Sequence, residues 1–178
     1  MKRFTALVSL LFFVVVGSAL GQKVNVDFDK EANFASFKTY TWAEGTPAKN
    51  PLMDQRIRDG IDKHLAAKGL QKVEGSASPD LVVLYHAAVG SETQLTTMNT
   101  GGYRWGYRWG GGMGTSTTTV DKIPIGQLTV DIGDAKTKKL LWMGNASDTL
   151  SDKPEKNEKK INSALEKMFK KFPPPVKK

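Results

Sequence analysis

At the centre of the sequence, residues 81–89 read LVVLYHAAV. The first four of these residues are all apolar, whereas a strand with one face in water alternates apolar and polar side chains. Such a run is typical of a central strand that is covered on both faces, or by a helix on one face. The turn-forming sequence GSASPD precedes the run and marks its start. We therefore expect this strand to lie in the middle of a sheet.

Further strands are predicted on both sides of this segment. Downstream, Leu128, Val130 and Ile132 alternate with polar residues, DAKTKK forms a turn, and residues 140–143 return, which predicts a hairpin. Residues 117–123 are another strand candidate. Upstream, alternation and β-branched or aromatic residues predict short strands at 24–28, 38–42 and 70–73.

Two amphipathic helices are predicted. The first runs from about residue 51 to 68, because Asn50 suits the N-cap, Pro51 the first turn, and Gly69 the position after the last turn. Its apolar stripe consists of Met53, Ile57, Ile61 and Leu65. The second helix is expected to begin at Ser151 or Asp152, and its stripe consists of Ile161, Leu165, Met168, Phe169 and Phe172.

This order of strands and helices predicts an α+β fold. We expect a single domain over residues 22–178, with a largely antiparallel or mixed sheet and two main helices packed on it. Residues 173–178 form a tail rich in proline and lysine.

The first 21 residues have the order of a secretory signal peptide. A basic start is followed by an apolar run and by the small residues Ala19 and Gly21, before a predicted cleavage at Gln22. We therefore expect export to the periplasm. The alternative is an uncleaved membrane anchor, because residues 4–20 approach the ~17–25 residues that a bilayer-spanning helix needs.

Composition narrows the function classes. The chain has 0 Cys, so disulfides, thiol catalysis and lipid anchoring through an acylated cysteine are excluded. Its formal charge of +8 falls to +6 when the signal leaves with Lys2 and Arg3. An exported basic protein favours anionic glycans or lipid surfaces, and export argues against nucleic acid as a partner. The alternative is that the charge only keeps the domain soluble.

The least ordinary segment is GGYRWGYRWGGGMG, residues 101–114, which repeats YRWG in tandem. It lies within a glycine- and aromatic-rich loop predicted over residues 90–116. If extended, the repeat places aromatic rings on one side and guanidinium groups on the other. Aromatic faces stack on sugar rings, and arginine pairs with phosphate or sulfate. We therefore predict a binding surface made of Tyr103, Arg104, Trp105, Tyr107, Arg108 and Trp109.

An alternative for this segment is a flexible or β-hairpin insertion whose aromatic side chains fold back onto the domain. The remaining polar residues show no catalytic or metal-binding motif. His64 falls within the apolar stripe of the first helix, His86 lies in the central strand, and neither has the spacing of a metal site. Asp54, Asp59 and Asp62 alternate with basic residues, which predicts a solvated helix face with i,i+4 pairs. The sequence predicts no metal and no cofactor.

Four stretches together resemble the bacterial DUF4136 family. They are VDFDKEANFASFKTYTW (26–42), KGLQKVEGSASPDLVVLYHAAV (68–89), GQLTVDIGDAKTKKLLWMGNASDTLS (126–151) and KPEKNEKKINSALEKMFKKFPP (153–174). The resemblance implies a small exported envelope protein, often a lipoprotein, with no established activity. This chain departs from the pattern by lacking the lipobox cysteine. A more distant likeness, to the TolB N-terminal domain and to curli-secretion lipoproteins, implies an assembly or interaction module and no catalytic residues.

We therefore predict a non-enzymatic envelope protein that acts as an interaction or envelope-maintenance module. Its expected partner is an envelope protein or an anionic glycan or lipid surface, with a membrane tether only if the signal is uncleaved. The sequence leaves the oligomeric state open. One alternative is a carrier for a lipid or other small apolar ligand, which requires a cavity of a few hundred Å³ between sheet and helix. Another is a hydrolase that uses His64 or His86 with nearby carboxylates.

Overall fold

A computed structural model describes residues 22–74, 78–99 and 116–174. The strands and helices in chain order are β1 (Lys23–Phe28), β2 (Thr39–Trp42), α1 (Pro51–Ala67), β3 (Gln71–Lys72), β4 (Leu81–Asn99), β5 (Ser116–Asp134), β6 (Leu140–Thr149) and α2 (Pro154–Phe169). A short 3₁₀ turn at Phe34–Ser36 links the first two strands. The predicted signal peptide, the YRWG repeat and the last four residues of the tail lie outside the described residues.

The six strands form one mixed sheet in the order β1-β6-β5-β4-β2-β3. Strand β2 pairs in parallel with β3 and β4, whereas the remaining neighbours are antiparallel. Together with α1 and α2 this is a single α+β domain, as the sequence predicts. The central position of the LVVLYHAAV strand is also confirmed, because β4 lies between β5 and β2.

Both helices pack on one face of the sheet. In β4, Leu81, Val83 and Tyr85 are buried, whereas Val82 and Leu84 on the opposite face are only partly covered. The sequence left open whether this strand is covered on one face or two, and the structure shows one helix-covered face. The core between sheet and helices consists of inward strand residues and of the helix stripes that contain Ile57, Ile61, Leu65, Leu165, Met168 and Phe169.

One register shift lets an extra apolar residue reach this core. Ile132 pairs with Trp142 and Gly133 with Leu140, so Leu141 has no partner in β5. An unpaired bulge residue turns its side chain away from strict alternation. As a result Leu141 and Trp142 are both buried although they are adjacent.

The ends of α1 agree with the prediction, and the start of α2 does not. The Asn50 side chain accepts hydrogen bonds from the N–H groups of Leu52 and Met53, and Gly69 has a φ of 84° after the last turn. Helix α2 begins at Pro154, not at Ser151 or Asp152. The side chain of Asn157 explains the shift, because it bonds both the N–H and the C=O of Ser151, at 2.8 and 2.7 Å.

Strands β4 and β5 are much longer than predicted. They pair from Leu81 with Asp134 to Asn99 with Ser116, so the interval predicted as a loop over residues 90–116 is strand at both ends. Threonine and other β-branched residues, common on both sides, favour this extended pairing. Strand β6 pairs with β5 only from Ile125 onward.

Residues 90–99 and 116–124 therefore form a two-stranded extension of the sheet, which we call the arm. Among the described residues, neither strand of the arm has a second strand neighbour. At about 3.3 Å per residue the arm is on the order of 30 Å long. Its strands are joined through residues 100–115, which contain the YRWG repeat.

Candidate functional site

A cavity of about 350 Å³ lies between the sheet, the N-terminal half of α1 and the part of α2 from Pro154 to Ala164. Strands β4, β5 and β6 form one wall, and α1 and α2 form the other. It is bounded at one end by the base of the arm. The residues that line it are Gln22, Ala48, Lys49, Asn50, Met53, Ile57, Ala87, Ala88, Val89, Gly126, Gln127, Leu128, Ala146, Ser147, Asp148, Thr149, Leu150, Pro154, Asn157, Lys160, Ile161 and Ala164.

The cavity exists because inward-facing side chains become smaller toward the arm. Strands β4 and β6 run in the same direction, since each is antiparallel to β5. Along β4 the inward position changes from Tyr85 to Ala87, and along β6 it changes from Trp142 to Ala146. On α2 the facing residue is Ala164. The large side chains fill the sheet–helix gap at one end, and the alanines leave it open at the other.

The floor of the cavity is apolar and buried, and its mouth is exposed. The floor consists of Ile57, Leu128, Ala146 and Ala164, each of which is at most 8% exposed. At the mouth, Val89 is 65% exposed although it is a large apolar residue. The other exposed lining residues are Lys49, Asn50, Ala88, Gln127 and Pro154. The lining is therefore suited to an apolar group that enters from solvent.

Two of the three charged lining residues neutralise each other. The Lys160 ammonium donates to Asp148 Oδ1 at 2.9 Å, to the Thr149 carbonyl at 2.6 Å and to Thr149 Oγ1 at 3.0 Å. An ammonium has three protons to donate, and these three acceptors use them all. Lys49 is the third charged residue, and it forms no ion pair with any described residue.

Asp54 and Asp62 join α1 to the sheet, which corrects the prediction that they lie on a solvated face. Asp54 forms the expected i,i+4 pair with Arg58 at 3.2 Å, but it also accepts a hydrogen bond from the Tyr85 hydroxyl. Asp62 accepts from the Tyr40 hydroxyl at 2.7 Å and from Trp42 Nε1 at 2.9 Å. The pattern was misleading because these tyrosine and tryptophan donors come from distant strands. Asp59 alone is exposed.

The pKa values in this cluster reflect its hydrogen bonds. Burial alone would raise the pKa of Asp54, but the hydrogen bonds from Tyr85, Ala48 and Arg58 outweigh it and hold the pKa below its usual value. Burial and the bond to Asp54 raise the pKa of Tyr85 to about 12. The Arg58 guanidinium lies 5.0 Å from the Trp42 ring centre and 5.5 Å from that of Tyr85. None of the side chains in this cluster lines the cavity, although the nearby residues Ala48 and Asn50 do.

The two histidines lie apart from the cavity. The His64 ring stacks on Phe169 with centroids 5.2 Å apart and planes 3° from parallel. Burial, with the nearby Lys63 charge, lowers the pKa of His64. His86 is exposed, and its Nδ1 lies 2.8 Å from the Thr46 hydroxyl. Neither lines the cavity, so the described geometry adds no support to a hydrolase built on either residue.

Within the described residues, no group of three His, Asp or Glu side chains is close enough to hold a metal ion. In the same residues, neither helix is long and apolar enough to cross a membrane. The predicted binding residues Tyr103, Arg104, Trp105, Tyr107, Arg108 and Trp109 lie outside the described part of the chain.

The sequence predicts the volume that a carrier would need, but not the position of the cavity. The only signal was a set of alanines at inward positions, and alanine is equally common in closely packed cores. Their shared position becomes visible only when β4, β6 and α2 are brought together.

Comparisons with known proteins agree with the fold. A PDZ domain protein from Parabacteroides distasonis ATCC 8503 is similar over 86% of this chain, with 17% identity and a TM-score of 0.55. This chain covers 36% of that protein chain, so it corresponds to about a third of it. A DUF4136 family protein from Bacteroides thetaiotaomicron VPI-5482 is similar over 85% of this chain and 96% of its own, with 14% identity and a TM-score of 0.52. At such identities the likeness shows a shared fold.

A comparison with curated proteins found no match. The model of a family described as a domain of unknown function, DUF4136, matches residues 24–174. That range includes every strand and helix except the first residue of β1. The chain therefore belongs to the DUF4136 family.

Proposed function

We propose that this protein is a non-enzymatic, exported binding module that holds a small apolar ligand in the cavity between its sheet and its helices. The observation that carries the proposal is the cavity of about 350 Å³ with its apolar, buried floor. Export is supported by the signal-like residues 1–21. A carrier of this kind needs no catalytic group, which agrees with the absence of a recognisable catalytic motif in the sequence.

The size of the cavity fits a small molecule. Ligand sites are typically about 300–1,000 Å³ and mostly apolar. Apolar cavities of even ~150 Å³ stay dry and take up molecules the size of benzene. Four buried apolar residues form the floor here, so water inside would find few hydrogen-bond partners. An apolar ligand would replace that poorly bonded water and gain the burial of its own surface.

The test is titration of the purified chain with N-phenyl-1-naphthylamine, a neutral dye that fluoresces in apolar surroundings. We expect saturable fluorescence with the wild type. Ala164→Leu fills the floor from α2 and should abolish the signal. Ala66→Leu makes the same change on an exposed turn of α1 and should leave dye binding unchanged.

Ala146→Val provides a second way to fill the floor, from a strand in which a β-branched residue is well tolerated. Equal dye binding by the wild type and by folded Ala164→Leu and Ala146→Val variants would place the dye elsewhere and contradict the proposal. No dye binding by the wild type would also contradict it.

A second candidate function is contact with an envelope protein or an anionic glycan through the arm. The observation that favours it is that both strands of the arm lack a second strand neighbour among the described residues. A two-stranded ribbon is only marginally stable in water, so a partner that packs against it would be stabilising. The contact residues in this candidate are the predicted ones, with Trp105 and Arg108 in the repeat.

Deletion of residues 101–114 tests this second candidate. We expect the variant to keep the cooperative unfolding and dye binding of the intact chain, because the cavity residues lie outside the deleted segment. Capture of envelope components should be lost, as should crosslinking in cells from a photoreactive group at position 105. Unchanged capture by the deletion variant would remove the YRWG repeat at the end of the arm as the contact surface.

A further inference from the structure

We propose that the ligand of the cavity is a single-chain amphiphile with an anionic head group, its chain on the apolar floor and its head beside Lys49. This inference rests on the proposed function and names the ligand class that the cavity selects. It follows from the separation of apolar and polar residues along the cavity, and from the one uncompensated charge at its mouth.

The lining sets the direction in which a ligand would lie in the cavity. The deepest lining residues, Ile57, Leu128 and Ala164, are buried and carry no polar side-chain atom. The mouth has the exposed polar residues Lys49 and Asn50. A molecule that is apolar throughout would leave these polar groups partly desolvated without a hydrogen bond, which is unfavourable. A chain with a polar head satisfies both ends.

The charged lining residues set the sign of the head group. Asp148 and Lys160 pair with each other at 2.9 Å, so they add no net charge to the lining. Asp54, which approaches the mouth through its bond to the Ala48 N–H, pairs with Arg58. Lys49 is thus the single charged lining residue without an ion pair among the described residues.

The surroundings of the mouth leave this positive charge in place. The charged residues next to Pro154 are two acids and two lysines, which cancel in formal charge. The amino-terminal ends of both helices also lie at the mouth, and their backbone dipoles add a partial positive charge. An anionic head is therefore attracted and an ammonium head repelled. Among charged amphiphiles, the geometry favours an anion such as a long-chain carboxylate.

The test compares three ligands with the same chain, namely dodecanoate, 1-dodecanol and dodecylamine, below their micellar concentrations at pH 8. For each compound, the concentration that displaces half of the bound N-phenyl-1-naphthylamine is measured with the wild type, with Lys49→Gln and with Lys49→Glu. Lys30→Gln is the matched control, because Lys30 is an exposed lysine that does not line the cavity.

With the wild type, dodecanoate should displace the dye at about two- to fivefold lower concentration than dodecanol, the ratio expected for one exposed ion pair. High salt should reduce that ratio. Lys49→Gln should abolish it, Lys30→Gln should keep it, and Lys49→Glu should reverse the preference in favour of dodecylamine.

Failure of this inference differs from failure of the proposed function. If dodecanoate and dodecanol displace the dye equally from the wild type, or if Lys49→Gln keeps the preference, the anionic head is wrong while the apolar cavity site stands. If the dye binds but no dodecyl compound displaces it, the single-chain amphiphile is wrong while the apolar cavity site stands. If the dye does not bind, the proposed function fails and this inference fails with it.

Discussion

The carboxylate of Asp131 in β5 is partly buried, and the fold disfavours its ionised form. It lies on the face that the helices do not cover, opposite Leu84 in β4 and Met143 in β6. Its Oδ1 atom is buried and has no hydrogen-bond partner among the described residues. Burial raises the pKa of Asp131, and the nearby His86 only partly opposes this. The ionised form is therefore less stable in the folded protein than in the unfolded chain.

We expect Asp131→Asn to stabilise the fold at neutral pH. Below the unfolded pKa of about 3.8 the carboxyl is protonated in both states, and the penalty appears as the pH rises through the raised folded pKa. The free energy of unfolding at pH 7, measured in urea, should rise by the order of 1 kcal/mol, and the gain should vanish near pH 3. Asp59→Asn, on an exposed helix position, should change little. A lower unfolding free energy at pH 7 would contradict this view of Asp131.

At the scale of the elements, Asp80 joins the starts of two parallel strands. Its Oδ2 atom accepts the N–H groups of Lys38 and Thr39 at 2.8 and 3.0 Å, just before and at the beginning of β2. Its own N–H donates to Thr39 Oγ1 at 3.0 Å, just before β4. These two strands pair over only three residues, so the carboxylate bonds extend a short ladder.

Asp80→Ala should lower the free energy of unfolding, because it removes the bonds that join the starts of β2 and β4. The backbone hydrogen bonds from Lys38 and Thr39 lower the pKa of Asp80, so its contribution is present above the unfolded pKa and is lost as the pH falls through the folded pKa. The carboxylate is near the surface, and we expect a loss of about 1 kcal/mol at pH 7 and less in acid. Urea unfolding across pH 2.5–7 measures it, with Asp59→Ala as the control. A loss that is independent of pH would show that the carboxylate charge is not the cause.

The elements also show which patterns the sequence can reveal. Helix α1 was predicted at both ends, because Asn50, Pro51 and Gly69 act within one turn of the helix. The start of α2 was placed too early, since the Asn157 amide bonds both backbone groups of Ser151 and the helix begins only at Pro154. The strand predicted at residues 117–123 is confirmed as part of β5. Residues 90–99 were taken for a loop because they do not alternate in polarity, while their pairing depends on a strand far along the chain.

At the scale of the whole molecule, the sheet and its two helices could be predicted and the cavity could not. Apolar periodicity marks which side of a strand or helix is buried, so it gives the layers. A cavity is set by the volume that those layers fail to fill. Ala87, Ala146 and Ala164 come from three separate elements, and each alone is an ordinary core residue. The YRWG repeat lies outside the described residues, so its role as a contact surface stays a prediction.

Filling the cavity should raise the stability of the fold and prevent ligand binding, and one substitution tests both effects. Empty space at the floor forfeits dispersion contacts, so filling it should stabilise the chain. We expect Ala164→Leu to raise the free energy of unfolding by about 0.5–2 kcal/mol without ligand while it abolishes dye binding. Ala66→Leu should change neither quantity appreciably.

Ligand should reverse the order of stability. A molecule that binds only the folded state stabilises it, and the gain grows with the logarithm of the ratio of ligand concentration to Kd. At one hundred times Kd the gain is about 2.7 kcal/mol. Saturating dodecanoate should therefore raise the Tm of the wild type above that of Ala164→Leu, whose Tm should not respond. If Ala164→Leu unfolds more easily than the wild type without ligand, the added side chain clashes with its surroundings, and the floor near Ala164 is closed rather than open.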